Sequence, residues 1–124
     1  MPLSHVSLDT NRFSEAVAFY DAVLVALGIG RVHDWSEHQA VAYGRAFPEF
    51  WNQHPHDMQP AQTANGVHIA FLTDNNAQVD AFHQATLIHD GRCDGPPGPH
   101  PEHSDAYDGC FVHDLDGHKI EAMA

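Results

Sequence analysis

The sequence predicts an α+β fold made of two βαβββ modules. Two observations carry this. Residues 5–28 overlie residues 68–91 at a constant offset of 63, without a gap: His5 falls on His68, Thr10 on Thr73, Ala18 on Ala81, Phe19 on Phe82, Ala22 on Ala85, Leu24 on Leu87 and Gly28 on Gly91. A period of about half the chain marks a duplicated module and not a solenoid. The second observation is the order of hydrophobic patterns, which runs strand, helix and then short strands, and restarts after a linker at residues 58–65. The modules expected are about residues 1–57 and 66–124, within one domain spanning 1–124.

The elements follow in order. Residues 4–9 alternate, with His5, Ser7 and Asp9 on one face and Val6 and Leu8 on the other, which is strand spacing. Residues 12–27 place Phe13, Ala16, Val17, Tyr20, Val23, Leu24 and Leu27 at helical spacing, with Asn11 or Ser14 as N-cap candidates and Gly28 as the stop. Residues 29–35, 40–43 and 49–52 are rich in Val, Tyr, Phe and Trp and read as strands. The second half repeats this: a strand at 67–73, then a helix from Asn75 to about His89 capped by Asp74 or Asn75 and ended by Gly91. A Pro/Gly/His-rich stretch from Gly95 to Asp105 is expected as a loop that lies over a cleft. A strand at 107–113, a turn at Asp114 to Gly117 and a last strand at 118–123 complete the chain.

Composition excludes several functions. The formal charge is −12, with five Lys and Arg against seventeen Asp and Glu. Nucleic-acid binding requires a basic face, which is absent. No stretch has the length of a membrane span, and residues 1–8 lack the basic start and apolar block of a secretory leader, so the expected location is the cytoplasm. Cys93 and Cys110 do not form a metal-type pair and are expected as free thiols. The spacing of Asp114, Asp116 and Gly117 is shared with calcium loops, but the downstream ligands are missing. A tight turn with Asx hydrogen bonding is expected instead. The histidines of 54–57 and 100–103 sit in Pro-rich stretches and read as solvated surface.

Strand alternation selects candidate chemistry. His5 and His68 lie opposite the apolar face of their strands, and Glu121 lies opposite Ile120. Glu49, in the fourth strand, takes the place that matches Glu121. Two histidines and two glutamates from four strands then converge on one cleft. Such a set suits Zn²⁺, Ni²⁺, Mn²⁺ or Fe²⁺ with positions left for water and substrate. Trp51 and Tyr107 are candidates for an adjoining substrate pocket, with core packing the competing role for Trp51. Arg92 is the candidate for meeting an anionic substrate.

The chain resembles the vicinal oxygen chelate superfamily, which contains glyoxalase I, bleomycin-resistance proteins, fosfomycin-resistance enzymes and extradiol dioxygenases. The carriers are His5 to Leu8, Ala18 to Leu24 followed by Leu27 and Gly28, Gly66 to Phe71, and Phe111 to Glu121. The last block is the most specific, with Asp114, Asp116, Gly117, Ile120 and Glu121 in the family's spacing. The resemblance implies a cupped mixed sheet, a homodimer, a small-molecule substrate and a divalent metal held by His5, His68, Glu121 and, through a looser alignment, Glu49. It also implies glyoxalase-type lyase or proton-transfer chemistry, with Glu121 first and Glu49 second as the proton-moving group. The alternatives it leaves are a ligand-sequestering binding protein of the bleomycin-resistance type and an extradiol dioxygenase using His5, His68 and Glu121 alone. The chain departs from the pattern at Asp9, where glyoxalase I-like sequences usually carry an arginine. A carboxylate there repels the carboxylates of glutathione.

Overall fold

Helix α1 (Phe13–Val25) buries Ala16, Val17, Phe19, Tyr20, Val23 and Leu24, the stripe that its spacing demands. It packs against α2 (Asn76–Ile88), which buries Val79, Phe82 and Thr86. Each helix serves one four-stranded sheet. The first holds β1 (Val6–Asp9), β2 (Gly30–Trp35), β3 (Ala40–Gly44) and β4 (Phe50–Gln53) in the order β1-β4-β3-β2. The second holds β5 (His68–Leu72), β6 (Arg92–Pro99), β7 (Asp108–His113) and β8 (Lys119–Met123) in the order β5-β8-β7-β6. In each, the outermost module strand pairs parallel with the last strand, and the other pairs are antiparallel, so both sheets are mixed. The structure is a computed structural model and describes residues 2–99 and 108–124.

The two modules share one core. Tyr20 meets Phe50 at 4.9 Å between ring centroids, Phe50 meets Phe71 at 5.2 Å edge-on, and Phe71 meets Phe82 at 6.4 Å. This chain of rings runs from one helix to the other through both sheets. Polar contacts reinforce it where β1 ends. His118 Nε2 lies 2.7 Å from the carbonyl of Asp9, and the Asn11 backbone N–H donates to Asp116 Oδ1 at 3.1 Å.

Three expectations need correction. Neither Asn11 nor Ser14 caps α1. The cap position is Arg12, without a side-chain bond, and Asn11 instead grips the inter-module linker by donating to and accepting from the backbone of Ala61. A side chain that can satisfy a distant backbone pair loses nothing by leaving the cap. Of the loop expected from Gly95 to Asp105, residues 95–99 belong instead to strand β6, despite its prolines, and residues 100–105 lie outside the described residues. This strand lies at the sheet edge, where the N–H that proline lacks faces solvent, and its register to β7 is broken twice. The third is the register of Glu49, which stands level with His5 and not at the place that matches Glu121. The second helix keeps its expected cap, with Asn75 accepting from the Gln78 N–H at 3.0 Å. The turn after β7 is also as expected: Asp114 Oδ1 accepts from the N–H groups of Asp116 and His118. Cys93 and Cys110 are free thiols, and burial pushes the Cys110 thiol up to about 12.

Candidate functional site

The faces of the two sheets turned away from the helices carry the polar groups. On the second sheet, register aligns His68 with Lys119 and Ala70 with Glu121. Because residues two apart on a strand share a face, Glu121 stands diagonally beside His68. Its Oε1 lies 3.4 Å from His68 Nε2. The carboxylate is deeply set, with 7% of its side chain exposed, whereas the imidazole is 48% exposed. A buried carboxylate presenting one oxygen to an open imidazole is a pair of donors facing the same side of a sheet.

On the first sheet, Val6 pairs with Phe50 and Ser7 with Trp51. The repeat places Ser7 on Ala70, so Trp51, and not Glu49, holds the position matching Glu121. Glu49 sits one pleat earlier, level with His5 and equivalent to Lys119. The loop between β3 and β4 explains the difference. It turns so tightly that a Cβ on Gly44 would lie 1.9 Å from the Phe47 carbonyl oxygen. The Glu49 carboxylate folds back over this turn toward the Arg45 N–H, at 3.4 Å. The repeat offset of 63 does not extend past the first strand–helix unit, and no feature of the sequence announces the change.

His5, Glu49 and His68 all border one cavity of about 540 Å³ between β1 and β5, together with Tyr43, Phe50 and Phe71. His5 is exposed, and its Nδ1 lies 3.1 Å from Ser4 Oγ. Trp51 lies on the opposite face from the core residue Phe50 and joins an aromatic group: its ring is 5.6 Å from His33 and 6.2 Å from Trp35. Alanines 40 and 42 of β3 form the floor between these rings. Asp9 shares this face, and partial burial raises its carboxyl above the ordinary range. Arg92 opens β6 and is exposed. Tyr107 lies outside the described residues, as do His100 and His103.

Imidazole nitrogen and carboxylate oxygen are suitable donors for a divalent ion. Among the described residues of the single chain, however, no three His, Cys, Asp or Glu side chains gather into a group that could hold one. His68 and Glu121 stand as a pair of donors on the second sheet, and His5 and Glu49 lie on the first.

Sequence reading missed three groups beside this pair. Lys119, His113 and Asp94 share the face, with the Asp94 carboxylate within 3.2 Å of His113 Nε2 and 3.3 Å of Lys119 Nζ. Lys119 was legible in principle, since it precedes Glu121 by two. Asp94 was not, because it reaches the site only through an irregularity in β6.

The family model described as the Glyoxalase/Bleomycin resistance protein/Dioxygenase superfamily matches residues 3–122. Among solved structures, a glyoxalase/bleomycin resistance protein from Albidiferax ferrireducens T118 is 32% identical and superposes with a TM-score of 0.88, over 99% of this chain and 98% of that one. Lactoylglutathione lyase from Agrobacterium tumefaciens is 20% identical with a TM-score of 0.64, over 99% and 95% of the two chains. The fosfomycin resistance protein FosX from Listeria monocytogenes is 17% identical with a TM-score of 0.68, over 100% and 93%. The last two share the fold alone. No curated protein matches the chain in sequence.

Proposed function

Since the chain belongs to the Glyoxalase/Bleomycin resistance protein/Dioxygenase superfamily, we propose that it is a glyoxalase-like enzyme that uses a divalent metal to move a proton on a small, oxygen-rich substrate. The observation that supports this most is the His68–Glu121 pair, an imidazole and a buried carboxylate 3.4 Å apart on the open face of the second sheet. His5 is the third ligand, supplied by a second copy of the chain in a homodimer; among the described residues of one chain it borders the same cavity as His68 without joining the pair in a metal-type group. With Trp51 at the position matching Glu121, Glu49 is not part of the set. Two imidazoles and one carboxylate then leave coordination positions open.

A divalent ion bound there supplies Lewis-acid polarisation of neighbouring substrate oxygens. The remaining work falls to this chain's residues. Glu121 takes the proton from the substrate carbon, since it is held deep in the sheet where water competes little. His68, more open, orients that carboxylate. Trp51 and Trp35 cover the first sheet with ring surface against which the apolar part of a substrate packs.

Purified protein without a His tag, assayed for bound Zn²⁺, Ni²⁺, Mn²⁺ and Fe²⁺, is expected to carry about one ion per chain. His68→Ala is expected to lose it while keeping the fold. A wild-type protein that takes up none of these ions on titration would sink the reading. A second reading, a binding protein that sequesters a ligand without chemistry, has one observation in its favour: the aromatic group around Trp51 and the carboxylate of Asp9 on the same face would hold a cationic ligand. Ligand retention by the metal-free protein, with no turnover of any metal-loaded form, is the result it predicts.

A further inference from the structure

One rung of the second sheet is unlike the rest of this acidic molecule. Arg92 pairs with His113, His113 with Lys119, and Lys119 with His68. Residues paired across strands share a face, so four basic side chains lie side by side, one from each strand. The whole chain has only five Lys and Arg, and two of them stand on this rung.

Next to the rung is a cavity of about 330 Å³, lined by His68, His113, Lys119 and Asp94 and by Thr63 and Asn65 of the linker. Asp94 reaches it because β6 bulges there. The register passes from Cys93 opposite Val112 to Gly95 opposite Phe111, leaving Asp94 as an extra residue. A bulge re-aims the side chain it carries. Asp94 Oδ2 lies 3.2 Å from His113 Nε2 and 3.3 Å from Lys119 Nζ. Both groups are also held from behind. His113 Nδ1 lies 3.0 Å from the Gly117 carbonyl, which only accepts, so Nδ1 carries a hydrogen, and Nε2 donates to a carboxylate oxygen when the ring is in its imidazolium form. Lys119 Nζ stands 4.9 Å over the Phe111 ring. The pair is thus fixed around one carboxylate oxygen, and the Lys119 ammonium in turn holds the Asp94 carboxyl below its ordinary range.

We propose that this cavity is a subsite for the carboxylate of a small organic acid. One oxygen of the ligand takes the place between Lys119 Nζ and His113 Nε2, and Asp94, which occupies that place in the empty protein, swings out to water. Its side chain is already 43% exposed, and exposed ion pairs contribute little, so the exchange meets slight resistance. A carboxylate suits the place better than phosphate, because the nearby Glu121 repels a dianion more strongly than a monoanion. The consequence for catalysis rests on the function proposed above: a substrate anchored here lies alongside His68 and Glu121. Binding itself requires no metal.

The test uses the full chain, ¹⁵N-labelled and stripped of metal, titrated with lactate and separately with inorganic phosphate while backbone amide shifts are followed. Lactate is expected to move the amides of Gly66 and Gly117, which border the cavity. Asp94→Ala is expected to bind lactate about tenfold more tightly, and Lys119→Met about tenfold more weakly. Asp90→Asn removes the same charge outside the cavity lining and is expected to leave affinity unchanged. Asp94→Ala binding no more tightly than wild type, an equal gain in Asp90→Asn, or phosphate binding more tightly than lactate each overturns the proposal. The amide spectra report folding of every variant. Metal uptake by the same proteins is scored separately: lactate binding with no metal uptake leaves this subsite standing while the metal reading fails, and the reverse outcome does the opposite.

Discussion

Tyr20 and Asp114 meet in the interior, 2.5 Å apart. Tyr20 is wholly buried, and burial raises its hydroxyl pKa well above the ordinary value, followed by the Asp114 charge. Asp114 is raised by burial and partly brought back by the Tyr20 hydrogen bond. Its other oxygen holds the turn that launches β8 and Glu121. Tyr20→Phe removes a bond to a buried carboxylate and is expected to cost about 1.5–3 kcal/mol at neutral pH. Without that bond the variant's Asp114 carboxyl is raised further, so the difference from wild type grows as pH rises from the wild-type carboxyl's raised pKa to the variant's higher one, and is smallest in acid, where the proton is bound in both proteins. Urea unfolding at neutral pH and in mild acid checks this; an equal loss at both would show that ionised Asp114 is not the partner that matters. The D-x-D-G pattern disclosed the turn, but no local rule disclosed that a tyrosine 94 residues away in sequence clamps it.

At the scale of elements, the repeat hides two different uses of glycine. Gly28 and Gly91 are equivalent in sequence. Gly28 has φ +73° with open space around its Cβ position, so it serves conformation at the end of α1. Gly91 has no positive φ; in its module that role falls to Asp90, at φ +72°. A Cβ on Gly91 would lie 2.5 Å from Thr86 Cγ2 and 2.9 Å from both the His113 carbonyl oxygen and the Phe19 ring. Here glycine lets α2, β7 and α1 close together. Gly28→Asn is expected to cost about 1 kcal/mol or less, since Asn tolerates the left-handed region. Gly91→Asn is expected to cost about 1–3 kcal/mol through overpacking. Denaturant midpoints rank the two, and the reverse order would refute the assignment. Elements were legible because strand and helix periods are local: both helices and the strands at 6–9 and 68–72 stand where alternation and 3.6-residue spacing put them. The strand 92–99 was illegible because its evidence lies in a partner, β7, that pairs with a Pro-rich edge.

At the scale of the molecule, duplication has produced two sheets of the same order and opposite chemistry. The open face of the first carries Asp9, Glu49 and an aromatic group; that of the second carries Lys119, His113 and Arg92 around the His68–Glu121 pair. The equivalence of His5 and His68 was legible from one offset. The equivalence of Glu121 with Trp51 was not, because it depends on how each module closes its last hairpin. If the metal set joins His5 of one copy to His68 and Glu121 of another, symmetry gives each dimer two such sites. His5→Ala and His68→Ala homodimers then each lack a ligand at both sites. Mixed and allowed to exchange, they form heterodimers in which one site has lost both histidines and the other has kept both. Random exchange is expected to restore metal to about one site in four, where neither parent holds any. A set closed within one chain gives no recovery at any mixing ratio, so metal content of the exchanged mixture decides between the two arrangements.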